Sequence, residues 1–297
     1  MSVSSIEEKP NRLIGFLAGV ASGVTKLIVG HPFDTIKVRM QTSEINIRFD
    51  GTISCLRQTI RMEGFRALYK GATPPLVGWG VLDSVMLGSL HNYRLFLQGN
   101  NPSKKLTVLQ HAMAGVASGW TVSFLASPVE QIKARLQVQY DSATKLYKGP
   151  LDCAIKLIQN NGLKGLWIGL TGTLAFRSFF FVYWGAYEVI SRIFRNTNMN
   201  EASINFLAGG LSANAFWLFS MPADTVKNRY MTQPDVNPKK FPTLRSVAFY
   251  INKTEGSRGF YKGLVPCLLR SFPTNASAIM VFEYTMRFLK NSEMPTF

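Results

Sequence analysis

Long apolar stretches dominate the chain, and they occur in three pairs. The first members are poor in charge: Leu106–Val129 and Ala202–Ala223 contain no Asp, Glu, Lys or Arg, and Leu13–His31 contains only Lys26. Each is long enough to cross a bilayer as an α-helix at 1.5 Å per residue. The second members are the apolar stretches at residues 72–97, 170–194 and 264–289. We therefore predict six membrane-spanning helices, with buried helices of a large soluble protein as the alternative.

A basic segment separates the two members of each pair. Six Lys or Arg residues fall in 39–70, six in 133–164 and eight in 227–262, together 20 of the 33 in the chain. Each segment also contains a short amphipathic stretch, such as Ser54–Met62, that ends just before a glycine suited to a C-cap. The connections between the pairs carry few cations, so the positive-inside rule places all three basic segments on one side of the membrane. Each third of the chain is therefore predicted to form a spanning helix, a surface helix and a second spanning helix.

One charged motif follows the first apolar stretch in every third of the chain. Its copies begin at Pro32, Pro128 and Pro222, which lie 96 and 94 residues apart. An acid follows each proline and a lysine comes three residues later: Asp34 and Lys37, Glu130 and Lys133, Asp224 and Lys227. A proline inside a helix removes a backbone donor and kinks the chain, and positions i and i+3 share a helix face. Because repeated spacing implies a repeated structural unit, three kinked helices in a ring could close with every charge paired.

Composition narrows the class of protein. Of the 297 residues, 46% are hydrophobic and 17% charged, which is apolar for a soluble protein. The net charge of +16 suits an anionic partner: nucleic acid, acidic lipid or an anionic substrate. Residues 1–10 are polar, lack the features of a secretory signal or a transit peptide, and are predicted to be disordered. No metal or cofactor is expected, since His31 and His111 have no second ligand at metal spacing, and no nucleophile elbow, Walker loop or paired Cys motif supports an enzyme.

Three features together resemble the mitochondrial carrier family over about residues 11–290. They are the three charged motifs, the aromatic-x-Gly sequences that open the second apolar stretches, and small residues four apart that precede each proline: Gly19 and Gly23, Gly115 and Gly119, Gly209 and Ala213. The resemblance implies an all-α monomeric carrier in the mitochondrial inner membrane, with pseudo-threefold repeats at 11–98, 106–195 and 202–290. It also implies three matrix surface helices and a substrate that is exposed alternately to the two sides. A peroxisomal location stays open at this point.

The resemblance assigns the acid–lysine motif to a gate on the matrix side. The implied partners are Asp34 with Lys133, Glu130 with Lys227, and Asp224 with Lys37. Gln41 and Gln137 stand four residues after two gate lysines and resemble the family's braces, whereas Met231 replaces the third. We therefore expect a gate that is weaker than a fully braced one.

The family's second gate, on the cytoplasmic side, is incomplete here. The family has an acid and, three residues later, a base near the end of each even-numbered helix. In this chain Arg94 is the one remaining base of the three, and Glu188 and Glu283 are the two remaining acids. At most one full ionic pair remains, so we expect a cytoplasmic side that opens easily. The resemblance also assigns five glycines to sites for cardiolipin or another phospholipid, where helix N-terminal amides meet phosphate: Gly51, Gly71, Gly149, Gly169 and Gly263.

Substrate contact points follow from the resemblance by counting from each aromatic-x-Gly. They are Gly78 and Trp79, Phe176 and Arg177, and Arg270, and Asp83 lies one turn further along from Gly78. Arginines bind carboxylates or phosphate through two parallel hydrogen bonds. Asp83 suits an ammonium group, and the ring face of Trp79 suits a cation. The set favours a substrate with a carboxylate and an amino or quaternary ammonium group, and the opening motif is similar to the carnitine/acylcarnitine and basic amino acid branch. The alternative is that Asp83 pairs internally with an arginine.

Four functions remain in view. The first is a carrier of an amino acid or a carnitine-type zwitterion, and the second is a carrier of a dicarboxylate, keto acid or other anion. The third is a basic nucleic-acid binder, which the uncharged spans oppose. The fourth is a non-transporting membrane adaptor on the carrier fold, which the complete set of motif charges opposes.

Overall fold

The computed structural model describes residues 12–42, 49, 51–99, 106–139, 146–234 and 239–292. Within those ranges, the side chains of residues 12–16, 77, 79 and 290–292 are not described. The predicted disordered tail, residues 1–10, lies outside the described part of the chain.

Helices account for every regular element of the described residues. The long ones are α1 (Arg12–Thr42), α3 (Thr73–Gln98), α4 (Val108–Gln137), α8 (Glu201–Thr232) and α10 (Leu264–Ser292), with α6 (Leu170–Ser178) and α7 (Phe180–Arg195) forming one further span. The short helices of the basic segments are α2 (Thr52–Glu63), α5 (Pro150–Asn161) and α9 (Leu244–Glu255). The predicted order of spanning, surface and spanning helix is confirmed in each third of the chain.

The spanning helices form a closed ring. Helix α3 packs against α4, α4 against α6 and α7, these against α8, α8 against α10, and α10 against α1, and contacts between α1 and α3 close the ring. Three described stretches are long and apolar enough to cross a membrane by composition alone: Val108–Gln137, Leu163–Arg195 and Ser257–Leu289. We call the end that carries α2, α5 and α9 the basic end of the bundle.

The fourth span is interrupted, which the sequence pattern did not predict. Helix α6 ends at Ser178 and α7 begins at Phe180, with the backbone N–H of Phe179 bonded to the Phe176 carbonyl three residues back. This tighter turn is typical of 3₁₀ geometry. The turn includes Arg177, one of the predicted substrate contacts.

The small residues before each proline do not all serve close packing. A Cβ on Gly115 would meet Trp184 at 2.1 Å, and one on Gly119 would meet Phe180 at 2.8 Å. A Cβ on Gly19, Gly23 or Gly209 would meet no described atom within 4 Å. In the third repeat the close approach moves by one position, since a Cβ on Gly210 would meet Phe272 at 2.5 Å.

The repeated prolines lie inside α1, α4 and α8, as predicted. A proline leaves the carbonyl four residues earlier without its helical donor. For Pro32 that carbonyl is Ile28, which accepts a bond from the Tyr69 hydroxyl at 3.1 Å. For Pro128 it is Phe124, which accepts from the Trp167 indole N–H at 2.8 Å. The aromatic residue before each of these helix starts therefore compensates for the proline.

This bond should contribute measurably to stability. Tyr69→Phe keeps the ring and removes the donor, so we expect a loss of about 1 kcal/mol, the usual net contribution of such a bond. Thermal unfolding of the purified protein measures it. Tyr261→Phe is the matched control, because the Tyr261 hydroxyl makes no hydrogen bond within the described ranges. Equal losses in the two variants would contradict this account.

Candidate functional site

Three ion pairs join the repeats near the basic end. Lys133 Nζ lies 2.6 Å from Asp34, Lys227 Nζ lies 3.0 Å from Glu130, and Lys37 Nζ lies 2.9 Å from Asp224. Each pair links two different repeats, so the three pairs run around the ring and close it. We call these six residues the charged ring; their partners are the ones that the resemblance implied.

Two polar side chains extend one pair of the charged ring into a network. Gln41 donates to Asp224 at 2.9 Å, and Asn228 donates to Asp224 at 3.0 Å and to the side-chain carbonyl of Gln41 at 2.7 Å. Asp224 is 1% exposed, so these donors replace the water that burial removes. The sequence motif had not indicated Asn228.

The other two pairs have no such network of amide side chains within the described ranges. Gln137 donates to Thr35 at 3.2 Å rather than to a charged group, and its own amide oxygen is buried without a partner in the described structure. Met231, at the equivalent position of the third repeat, packs against Gly169. The support for the charged ring is therefore unequal among its three pairs.

A second ring of hydrogen bonds lies beside the charged ring. The motif arginines each donate their Nε to the backbone carbonyl of the next repeat's brace position: Arg39 to Gln137 at 3.2 Å, Arg135 to Met231 at 3.1 Å, and Arg229 to Gln41 at 2.5 Å. Each arginine stands two residues after the motif lysine, and this repeated position was the sequence signal that could have revealed the second ring. Because it joins backbone to side chain across repeats, it ties the ends of α1, α4 and α8 together.

Acidic residues at the ends of α2 and α9 hold two of these arginines. Glu63 binds Arg39 and Lys70, and Glu255 binds Arg229 at 2.7 Å and Lys262 at 2.6 Å. Burial alone would raise the pKa of Glu255, but the hydrogen bonds from Arg229 and Lys262 outweigh it and lower that pKa. These clusters fasten the surface helices of the first and third repeats to the spanning helices.

A central cavity of about 200 Å³ lies directly against the charged ring. Four of the six predicted substrate contacts line it. Arg177 and Arg270 line it, and each binds an acid of the charged ring: Arg177 lies 2.7 Å from Glu130, and Arg270 lies 2.5 Å from Asp34. Phe176 also lines it, with Lys227 4.3 Å from the centre of its ring.

Asp83 differs from the other carboxylates of the cavity. It lines the cavity, yet no cation within the described ranges lies within ion-pair distance of it. The alternative in which Asp83 pairs with an arginine is absent here, because both cavity arginines bind Asp34 and Glu130 instead. Asp83 therefore keeps a carboxylate available to a ligand.

Of the other two predicted contacts, only Gly78 has a described environment. Gly78 lies against α4, where a Cβ would meet Val129 at 3.6 Å. The side chain of Trp79 lies outside the described part of the structure. Trp217, which the sequence pattern did not indicate, lines the cavity with Lys37 4.8 Å from its ring centre.

At the end opposite the basic one, the predicted gate residues form no ion pair between repeats within the described ranges, although Arg195 and Glu201, where the second repeat meets the third, lie 3.4 Å apart. Glu188 binds Arg192 at 2.8 Å within its own helix, and Arg94 lies over the Trp184 ring at 5.0 Å. Glu283 faces Arg287 of its own helix at 3.5 Å. A cavity of about 1140 Å³ lies beside Arg94 and Glu188. The described structure thus has a closed ring of ion pairs at the basic end, whereas Arg94, Glu188 and Glu283 form no such ring at the other end.

The predicted lipid glycines all lie at helix starts. Gly51 and Gly149 directly precede α2 and α5, and the other three lie just before the second spanning helices: Gly71, Gly169 and Gly263. Gly71 and Gly263 have φ of 76° and 85°, a region that favours glycine. A Cβ on Gly71 would meet the Lys133 carbonyl at 2.9 Å, so this position also serves close packing between repeats.

Comparisons with known proteins agree with this architecture. A family model described as mitochondrial carrier protein matches residues 9–101, 104–198 and 199–293. A mitochondrial substrate carrier family protein of Dictyostelium discoideum is 38% identical over 95% of this chain and 98% of its own length. A mitochondrial arginine transporter of Arabidopsis thaliana is 33% identical over 92% of this chain and 93% of its own length. A mitochondrial carnitine/acylcarnitine carrier protein of Macaca fascicularis is 35% identical over 93% of this chain and 94% of its own length.

The chain belongs to the mitochondrial carrier family. It is an integral membrane transporter of the mitochondrial inner membrane that binds small-molecule substrates, and not an enzyme. The basic end of the bundle is therefore the matrix side, and the opposite end is the cytoplasmic side.

Proposed function

We propose that this protein carries a small carboxylate-bearing metabolite, favouring one that also has an amino or quaternary ammonium group, by alternating access. The observation that carries the proposal is the composition of the central cavity, where Arg177 and Arg270 stand with an unpaired Asp83. Arginine forks bind carboxylates, and an unpaired carboxylate inside a membrane protein suits a cationic group. Relatives named as arginine and carnitine/acylcarnitine carriers support a substrate of this kind.

The contacts of the two arginines suggest how binding is coupled to opening. Glu130 is shared by Lys227 and Arg177, and Asp34 is shared by Lys133 and Arg270. A substrate carboxylate that binds the arginines competes with these two acids and withdraws one cation from each. The matrix gate would then depend on its lysines alone and would open at a lower free-energy cost, because a partner that binds one state better shifts the equilibrium towards it.

The second gate supports an easily opened cytoplasmic side. Arg94, Glu188 and Glu283 make no ion pairs between repeats within the described ranges, so little opposes entry from that side. We further propose that the protein acts as a monomer and binds cardiolipin or another phospholipid at the helix starts around the five glycines named above. A nucleic-acid partner has no support, since the cations are placed at the matrix surface and around a substrate cavity.

Asp83 provides the sharpest test of the proposed substrate. We expect an amino acid or a carnitine ester to raise the melting temperature of the purified protein, since a ligand that binds the folded state stabilises it. For an amino acid, Asp83→Asn should raise the ligand concentration needed for the same shift by about tenfold or more, because its ammonium group would lose one hydrogen bond to a charged group. Uptake into liposomes should fall in parallel.

Asp152→Asn, on the surface helix α5, is the matched control and should leave both measurements unchanged. Stabilisation by keto acids, dicarboxylates or nucleotides alone, unaffected by Asp83→Asn, would instead support the anion carrier. If no small molecule of any class were bound or transported, the adaptor hypothesis would replace both.

A further inference from the structure

Lys26 is the one charged residue in the first apolar stretch of the chain. It lies on α1 and is partly buried. Residues four positions apart share a helix face, and the neighbours of Lys26 on its face contact α10. Ser22 donates to the Ala278 carbonyl at 2.9 Å, and Gly30 lies against Arg270 and Thr274. A lysine within a spanning helix is costly, and such residues are usually functional.

No acid neutralises Lys26 directly. Within the described ranges, no carboxylate lies within ion-pair distance of its ammonium group and no hydrogen bond is formed. The charged groups whose fields reach it are Asp83, which is attractive, and Arg270, which is repulsive. Lys26 therefore belongs electrostatically to the same group as the two proposed substrate contacts.

The position of Lys26 suits a ligand that already binds Arg270. A Cβ on Gly30 would lie 2.9 Å from the Arg270 Nε, so the Arg270 side chain lies beside Gly30 at the same height along α1. One helical turn towards the cytoplasmic end, about 6 Å, separates Gly30 from Lys26. That is a distance that a short dicarboxylic acid can span.

The charge balance of the site supports the same conclusion. The three acids of the charged ring offset its three lysines, which leaves Arg177, Arg270 and Lys26 against Asp83 alone. On the cytoplasmic side, the 1140 Å³ cavity is lined by Arg94, Arg192 and Arg195 with Glu188 as the carboxylate among its described residues. Both the entrance and the site are positive, which raises the local concentration of anions and opposes cations.

We propose that Lys26 is a specificity-determining residue that binds a second acidic group of the substrate, so that the preferred substrate carries a net negative charge. This inference rests on the proposed function and narrows it to acids with two anionic groups. With Asp83 binding an ammonium group, the substrate class is an amino acid with an acidic side chain.

The experiment compares substrates that differ only in the second acidic group. Uptake of glutamate and glutamine, and of 2-oxoglutarate and 2-oxobutyrate, is measured in liposomes for the wild type, Lys26→Met and Lys26→Arg. We expect the wild type to prefer the member with two acidic groups in at least one pair. Lys26→Met should reduce that preference by about tenfold or more, and Lys26→Arg should keep most of it.

Stability separates this role from a structural one. Lys26→Met removes an unneutralised charge from the membrane interior, so its melting temperature without substrate should equal or exceed that of the wild type. A lysine that held the helices together would show the reverse. Lys164→Gln, an exposed lysine of the matrix side, is the control and should change neither the preference nor the melting temperature.

Two results would overturn the proposal. The first is an unchanged preference in Lys26→Met. The second is a wild type that prefers the neutral member of each pair, or transports lysine or carnitine esters better than any diacid. In both cases transport still occurs, so the proposed function stands; absence of any uptake or thermal shift would refute the proposed function and this inference together.

Discussion

Arg270→Ala is expected to reduce substrate uptake by roughly 10- to 100-fold, the value of one charge-assisted hydrogen bond to a bound carboxylate. Arg270 lines the central cavity and its guanidinium lies 2.5 Å from Asp34. The alanine variant would be unable to bind the substrate carboxylate at this position, and the link between the substrate and the gate would also be broken. Initial rates of uptake into liposomes over a range of substrate concentrations measure the effect.

The change should not act through loss of the fold. Asp34 keeps Lys133 at 2.6 Å when Arg270 is removed, so the interrepeat pair persists. We expect the melting temperature without substrate to change little and the shift on adding substrate to disappear. Arg258→Ala, an exposed residue of the matrix side, controls for removal of a positive charge. Uptake near the wild-type level in Arg270→Ala would remove the arginine from the substrate site.

Asp224→Asn is expected to lower the stability of the matrix-closed protein by about 3–5 kcal/mol, the usual cost of breaking a buried ion pair. Asp224 is 1% exposed and lies 2.9 Å from Lys37, with Lys227 at 3.4 Å. Its neutralisation would leave both lysines near one another without this counter-charge. Thermal unfolding in detergent, with the wild type measured in parallel, records the loss of stability.

A double-mutant cycle isolates the pair. Lys37→Met removes the partner, and Asp224→Asn with Lys37→Met should lose less stability than the sum of the single changes, because the uncompensated charge disappears. Asp152→Asn disturbs a surface pair with Lys156 at 2.9 Å and should have little effect, as surface pairs contribute little. Strictly additive losses would mean that the two charges do not stabilise each other.

The proposed carrier mechanism joins these two predictions. If the arginines and the gate lysines share Asp34 and Glu130, a mutation of the gate should change how strongly the substrate stabilises the protein, and a mutation of the arginines should change how readily the gate opens. Asp224 differs, because Gln41 and Asn228 support it and neither cavity arginine binds it. We therefore expect the Asp224–Lys37 pair to be the gate pair that substrate binding weakens least.

Much of the architecture could be predicted from the sequence, because its determinants are local. Apolar stretches of membrane length predicted the spans, and the basic segments predicted the surface helices on one side. The spacing of Pro32, Pro128 and Pro222 predicted three equivalent units, and each unit carries its acid and its base only three residues apart. The pattern failed at Phe179, because no glycine or proline near this residue signals the break between α6 and α7.

The contacts of the site needed the folded structure, because they join residues far apart in the chain. Arg270 reaches Asp34 across 236 positions, and Asn228 reaches Gln41 across 187. No pattern in either segment specifies such a partner; it depends on how the ring of helices closes and on which side chains then fall within hydrogen-bond distance. For the same reason, the sequence marks Lys26 and Asp83 as charges in apolar stretches, while the fold leaves both without an ion pair within the described ranges and places Asp83 at the central cavity.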